Sequence, residues 1–170
     1  MLRCAPRALL ALRGLQGDVQ TLLEDVSARI ELRRLEEGPD AMGDPKSLAA
    51  LLSIMLYGGR LQGGGPGYVV EPVVCGLRRD GAPYLCAQDG LGAKLESATF
   101  VVAGTAATSL YGSCEALYTP DLAEDDLLDA ALAAMAAGLD RDCMSGRNVV
   151  VHVLSPAGHA SFERTLKTTT

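Results

Sequence analysis

Apolar residues recur at helical spacing in four stretches of the chain, which predicts four amphipathic helices. The first stretch begins at Asp18, and its apolar positions are Val19, Leu22, Leu23, Val26 and Ile30. We expect Asp18 to cap this helix and Gly38-Pro39 to end it. In the second stretch, Ser47 is the predicted cap and Gly58-Gly59 the predicted end. The third and fourth helices are predicted from about Thr105 to Leu117 and from after Asp121 to Leu139.

Five further segments have the composition of strands, bounded by turn residues such as Asp80-Gly81. They are Tyr68–Leu77, Pro83–Gln88, Phe100–Ala103, Val149–Leu154 and Phe162–Leu166. Because both faces of the Val149–Leu154 segment are apolar, we expect its sheet to be covered on both sides. Helix pairs that alternate with groups of strands predict an α+β fold, a four-layer α-β-β-α sandwich. A single three-layer α/β sheet is disfavoured because the helices do not alternate singly with strands.

The size and composition are those of one globular domain: 170 residues, 48% hydrophobic and 21% charged. A net charge of −6 without a basic patch argues against nucleic acid as a partner. No stretch approaches the ~20 apolar residues that a membrane span needs, so no membrane partner is expected. The five cysteines are odd in number and lack C-x-x-C spacing, which indicates neither a metal site nor a disulfide framework. No cofactor motif is found either.

The amino-terminal segment has two readings. Residues 1–17 contain three arginines, no acid and the apolar run Leu9–Leu12, which resembles a weak transit peptide or the start of a domain element. We favour the second reading because the run is short. Residues 1–11 are treated as an atypical segment and residues 12–170 as the domain. Two other stretches are predicted to be irregular: a surface loop over residues 63–67 and a frayed tail over residues 168–170.

The turn before the fourth predicted strand concentrates the candidate chemistry. Asp140, Arg141 and Asp142 precede Ser145 and Gly146, where glycine is expected to supply a positive φ. A turn does not require the three charges, so they indicate a site or a contact. A serine nucleophile needs an oriented base, and of the two histidines His152 lies in the middle of a strand. We therefore favour charge-assisted contacts, within the chain or to a neighbour.

Several segments, in their order and spacing over residues 12–167, together resemble the proteasome beta-type subunits, and most closely the non-catalytic type-3 branch of that family. They include Gly14–Thr21, Leu56-Tyr57, Glu71–Val73, Phe100–Thr105, Tyr111-Gly112, Cys114–Leu117, Asp140–Asp142, Ser145-Gly146, Val151-His152 and Arg164–Lys167. The resemblance implies the N-terminal nucleophile hydrolase fold. It also implies beta-ring partners in the same and the opposite ring, alpha-ring partners, and residence in the cytoplasm and nucleus.

The same resemblance bears on catalysis. Active members of the family use a mature N-terminal threonine with an aspartate and a lysine on their opening strands, and no segment of this sequence resembles those strands. Asp142 and Ser145 match two polar residues that support the threonine, so we interpret them as vestigial and expect no catalytic residue. The opening strands are expected to be missing because the sequence is incomplete at its amino-terminal side. The alternative is that ring neighbours cover the gap.

The sequence therefore predicts a non-catalytic structural subunit of the 20S core beta ring, which supports ATP- and ubiquitin-dependent protein degradation. Two alternatives are kept. One is a truncated catalytic threonine-type beta subunit, and the other is a free-standing α/β protein that binds a small molecule.

Overall fold

The computed structural model describes residues 2–5, 7–39, 41–62 and 67–167. The chain divides into two compact units, Met1–Val101 with Leu154–His159 and Val102–Val153 with Ala160–Thr170. The loop predicted over residues 63–67 lies outside the described residues except for Gly67, and so does the tail predicted over residues 168–170.

The first unit contains an antiparallel sheet of five strands in the order β1-β2-β3-β4-β5. The strands are β1 Leu2–Ala5, β2 Ala8–Gly14, β3 Val70–Leu77, β4 Pro83–Gln88 and β5 Lys94–Ser97. Leu10 pairs with Val74, and Val74 pairs with Cys86. Because paired residues share a face of a sheet, these three fully buried side chains form a continuous apolar strip across the central strands.

Two helices, α1 Gln16–Glu37 and α2 Pro45–Gln62, pack on this apolar strip. The buried stripe of α1 is Leu22, Val26 and Ile30, and that of α2 includes Leu48, Leu52 and Leu56. Full burial of one leucine side chain stabilises the folded state by about 1.5–3 kcal/mol. The helices and the sheet thus share one hydrophobic core.

Polar side chains connect the helices to the sheet at several points. The Gln88 side-chain amide donates to the Ala49 carbonyl at 2.6 Å, and the Ser53 hydroxyl donates to the Gly92 carbonyl at 2.5 Å. On α1, Asp25 accepts a hydrogen bond from the Tyr68 hydroxyl at 2.7 Å, and this bond raises the pKa of Tyr68. These contacts fix how the two helices lie on the strands.

The second unit holds a helix pair, α3 Ala107–Leu117 and α4 Glu124–Leu139. Gly138 of α4 lies against Leu110 of α3, where a Cβ would come within 2.5 Å of Leu110 Cδ2. The glycine contact lets the two helices approach closely.

The strands β6 Asn148–Ser155 and β7 Gly158–Thr165 follow α4 along the chain. Because only two residues join them, they form an antiparallel hairpin.

The predicted cap of the first helix is wrong. The helix begins at Gln16, and its N-cap residue Leu15 makes no side-chain capping hydrogen bond. Asp18 lies in the first turn, and its carboxylate accepts a hydrogen bond from the Val69 backbone N–H at 2.8 Å. The residue therefore joins the helix to the chain entering β3 instead of starting the helix.

The second helix does not end at Gly58-Gly59 but continues to Gln62. A glycine inside a helix lowers the stability of the helix by only about 1 kcal/mol relative to alanine. The packing of α2 on the sheet outweighs this loss. Gly59 lies against the Tyr68 ring, because a Cβ there would come within 3.2 Å of the ring. The close approach of an aromatic ring gives this glycine a packing role.

The strand predicted over Phe100–Ala103 is absent, and the fifth strand is Lys94–Ser97. The turn before the fifth strand explains where that strand begins. The Asp89 carboxylate accepts hydrogen bonds from the backbone N–H groups of Leu91 and Ala93, both at 2.9 Å. This tight turn reverses the chain at once, so pairing with β4 begins at Lys94.

The expectation that the sheet of β6 is covered on both faces is also wrong. Val150 is 59% exposed, and Val149, Val151 and Val153 are not fully buried. The strand β6 is thus apolar on both faces, yet its side chains remain partly exposed to solvent.

Two strands precede the first helix, which the sequence did not predict. The apolar run Leu9–Leu12 lies in β2, in which both Leu9 and Leu10 are buried. No helix within the described part of the chain is long and apolar enough to cross a membrane.

Candidate functional site

Three side chains from two parts of the second unit meet around Asp142. The Ser145 hydroxyl donates to Asp142 Oδ2 at 2.6 Å, and the Thr105 hydroxyl donates to the same oxygen. The other carboxylate oxygen, Oδ1, accepts the Met144 backbone N–H at 3.0 Å. The two hydroxyl oxygens are themselves 3.4 Å apart. We refer to Thr105, Asp142 and Ser145 as the hydroxyl–carboxylate cluster.

The ends of two helices bring the cluster together. After α4 the backbone continues in tight turns, in which the Asp142 N–H donates to the Leu139 carbonyl at 3.1 Å. Thr105 lies just before α3 and directly follows Gly104. Gly104 has a φ of 116°, a backbone conformation that glycine adopts without strain and other residues do not. Because α3 and α4 pack closely at Gly138, the start of one helix lies beside the end of the other.

The electrostatics of the cluster favour a charged carboxylate. The hydrogen bond from Ser145, and then those from Thr105 and the Met144 N–H, lower the pKa of Asp142 below its ordinary 3.8. Hydrogen bonds donated to the charged form stabilise it, which is the direction of this change. A carboxylate with a lowered pKa is a poor proton acceptor near neutral pH. The cluster is thus suited to positioning and poorly suited to activating Ser145 as a nucleophile.

The remaining residues of the predicted turn take different positions. Asp140 forms an ion pair with Arg147, with a separation of 3.6 Å between Asp140 Oδ1 and Arg147 Nη2. Arg141 lies in the turn, where its N–H donates to the Gly138 carbonyl at 3.2 Å. Gly146 does not adopt a positive φ, so the reason we gave for a glycine at this position is wrong. Among these residues only Asp142 and Ser145 join the cluster.

Sequence reasoning missed Thr105 as a member of the cluster. Thr105 and Asp142 are 37 residues apart, and no local pattern joins them. The available signal was a hydroxyl residue directly after a glycine at the start of a helix. Within the described residues, no group of three or more histidine, cysteine, aspartate or glutamate side chains could hold a metal ion.

The first unit has an open cleft of about 300 Å³ at the junction of β2, β3 and α1. Its walls include Gly14, Leu15, Val69 and the ion pair between Arg13 and Glu71. Because the two charges neutralise each other, the cleft offers no unbalanced charge to a ligand. We assign no chemistry to it.

Comparisons with known proteins identify relatives along most of the chain. The family described as "Proteasome subunit" matches residues 1–154. The chain is 43% identical over 156 residues to "Proteasome subunit beta type-3" of Picea mariana, covering 92% of this chain and 72% of that protein. It is 41% identical over 150 residues to "Proteasome subunit beta type-3-A" of Arabidopsis thaliana, covering 88% and 71%. For "Proteasome subunit beta type-3" of Drosophila melanogaster the identity is 38% over 164 residues, covering 96% and 76%.

Proposed function

The chain belongs to the proteasome subunit family, and on that premise we propose that it is a non-catalytic structural subunit of the beta ring of the 20S core. The observation that carries the proposal is the similarity to beta type-3 subunits over 86–96% of the chain. Its role is to occupy one position in the ring and to support the neighbouring subunits.

The chemistry of the hydroxyl–carboxylate cluster argues against a nucleophile at Ser145 or Thr105. A nucleophilic hydroxyl must transfer its proton to a base whose pKa is near the working pH. The Ser145 and Thr105 hydroxyls donate instead to Asp142, whose pKa is lowered by these same bonds. The cluster therefore holds the start of α3 against the turn after α4.

The proposal extends to architecture and setting. The proposed fold of the assembled subunit is the four-layer α-β-β-α sandwich of N-terminal nucleophile hydrolases. The partners are beta subunits of the same and the opposite ring and subunits of the alpha ring. The particle acts in ubiquitin-dependent protein degradation in the cytoplasm and nucleus.

The test is to express the tagged chain in cells of its source and to isolate 20S particles through a different, alpha-type subunit. Mass spectrometry should find the chain in the particles in an amount equal to the other beta subunits. An electrophile that labels N-terminal threonine nucleophiles should modify other beta subunits and leave this chain unmodified. Ser145→Ala should leave the peptidase activity per particle unchanged.

Two results would contradict the proposal. Absence of the chain from purified particles would exclude a role in the ring. Labelling of this chain by the electrophile would show a catalytic subunit instead of a structural one.

A further inference from the structure

Helix α2 has a second apolar surface besides the one that packs on the sheet. Ile54, Tyr57 and Leu61 are 71%, 56% and 67% exposed, although large apolar side chains on a monomer's surface are usually scattered. The buried stripe of the same helix runs through Leu52 and Leu56. The helix is thus apolar on two sides, and the core uses only one.

The spacing of the exposed residues creates a recess. Positions 54, 57, 58 and 61 are related as i, i+3, i+4 and i+7, the four positions that surround a hole on a helix surface. Gly58 occupies one corner of that hole, and a Cβ built on it would meet no atom within 4 Å. Three large side chains and one missing side chain therefore form a recess, which we name the α2 notch (Ile54, Tyr57, Gly58 and Leu61).

The charges of α2 restrict what can cover the notch. The helix contains Lys46 and Arg60 but no aspartate or glutamate. Arg60 is exposed and lies in the last turn, next to Leu61. A complementary surface therefore combines an apolar side chain that fills the recess with a carboxylate that faces Arg60.

We propose that the α2 notch receives an apolar side chain from a helix of an adjacent proteasome subunit, and that this helix places a carboxylate opposite Arg60. The inference rests on the proposed function, which supplies a neighbouring subunit. A helix is the fitting occupant because a four-residue hole of this spacing accepts the side chain of a facing helix. Because Gly58 leaves one corner of the hole empty, the two backbones approach more closely there than with any larger residue.

The test fills the recess without disturbing the core. In Gly58→Leu, the new side chain occupies open space on the exposed face of the helix, and replacing glycine favours the helical state. The isolated variant should unfold at the same or a higher temperature than the parent chain. Its incorporation into 20S particles, measured by mass spectrometry, should fall by roughly tenfold because an overpacked interface loses its fit.

The matched control is Gly112→Leu in α3. Gly112 is also a helical glycine with no atom within 4 Å of a built Cβ, so the substitution has the same intrinsic effect on a helix. It should leave incorporation unchanged. Arg60→Glu should reduce incorporation, while Arg60→Lys should retain most of it because the positive charge is kept.

The outcomes separate this inference from the proposed function. If the parent chain does not enter particles at all, the proposed function fails and the inference fails with it. If the parent chain enters the particles and Gly58→Leu enters them equally well, the proposal for the α2 notch fails and the proposed function stands. A third outcome also contradicts the inference. If the isolated parent chain dimerises, and Gly58→Leu abolishes the dimer without changing incorporation into particles, the occupant of the α2 notch is a second copy of this chain.

Discussion

The two units differ in how completely they bury their apolar residues. In the first unit, leucines of α1, α2 and β2 are fully buried in one core. In the second unit, the buried apolar residues among those described are Ala106, Leu110 and Ala134, while most leucines of α4 are only partly covered. The apolar residues of the helices in the two units thus have different surroundings. The first unit is stabilised mainly by its own core, whereas the second depends more on local contacts.

The largest effect is expected from truncating a core leucine. Leu52→Ala in α2 should lower the free energy of unfolding by about 2–5 kcal/mol, because Leu52 is fully buried and leaves a cavity. Leu132→Ala in α4 should cost only about 1 kcal/mol, because its side chain is partly exposed. Urea denaturation followed by circular dichroism measures both. Equal losses of unfolding free energy in the two variants would show that the two units do not differ in how much these leucines contribute to stability.

An intermediate effect is expected from two glycines with positive φ. Gly14 has φ of 152°, and a Cβ there would overlap the Val69 backbone carbonyl, whereas Gly104 has φ of 116° and open space around it. Gly14→Ala should destabilise the protein by roughly 2–4 kcal/mol, since strain adds to steric overlap. Gly104→Ala should cost about 1–2 kcal/mol from backbone strain alone. Thermal unfolding of both variants measures the two losses of stability. A larger loss for Gly104→Ala than for Gly14→Ala would contradict this prediction.

The smallest effect concerns the protonation of the hydroxyl–carboxylate cluster. Because the pKa of Asp142 is lower in the folded chain than its ordinary 3.8, the contribution of this carboxylate to stability is complete above that pH and is lost as the pH falls below it. Ser145→Ala should raise the pKa of Asp142 towards 3.8, and Thr105→Val should raise it less. Carbon-13 NMR titration of the Asp142 carboxyl group measures both values. An unchanged pKa in Ser145→Ala would show that the hydroxyl does not stabilise the charged form.

Sequence periodicity predicted most elements and failed where distant residues intervene. The four helices, the strand Pro83–Gln88 and both strands of the last hairpin lie close to their predicted positions. The strand predicted over Phe100–Ala103 was wrong, and the strand observed at Lys94–Ser97 begins where the Asp89 side chain closes the preceding turn. For the cluster, Asp142 and Ser145 were recognisable from their turn, but Thr105 was not.

What the sequence alone determined are the local features: the helices, through apolar spacing, and the family, through segments that keep their order along the chain. Tertiary structure decided the partners of the polar side chains. Asp18 bonds the backbone of Val69 instead of capping α1, and Asp142 bonds a threonine 37 residues away. It also decided that β6, apolar on both faces, leaves Val150 exposed. Periodicity records which residues share a face of one element, whereas burial and hydrogen bonding depend on which other elements come to lie against that face.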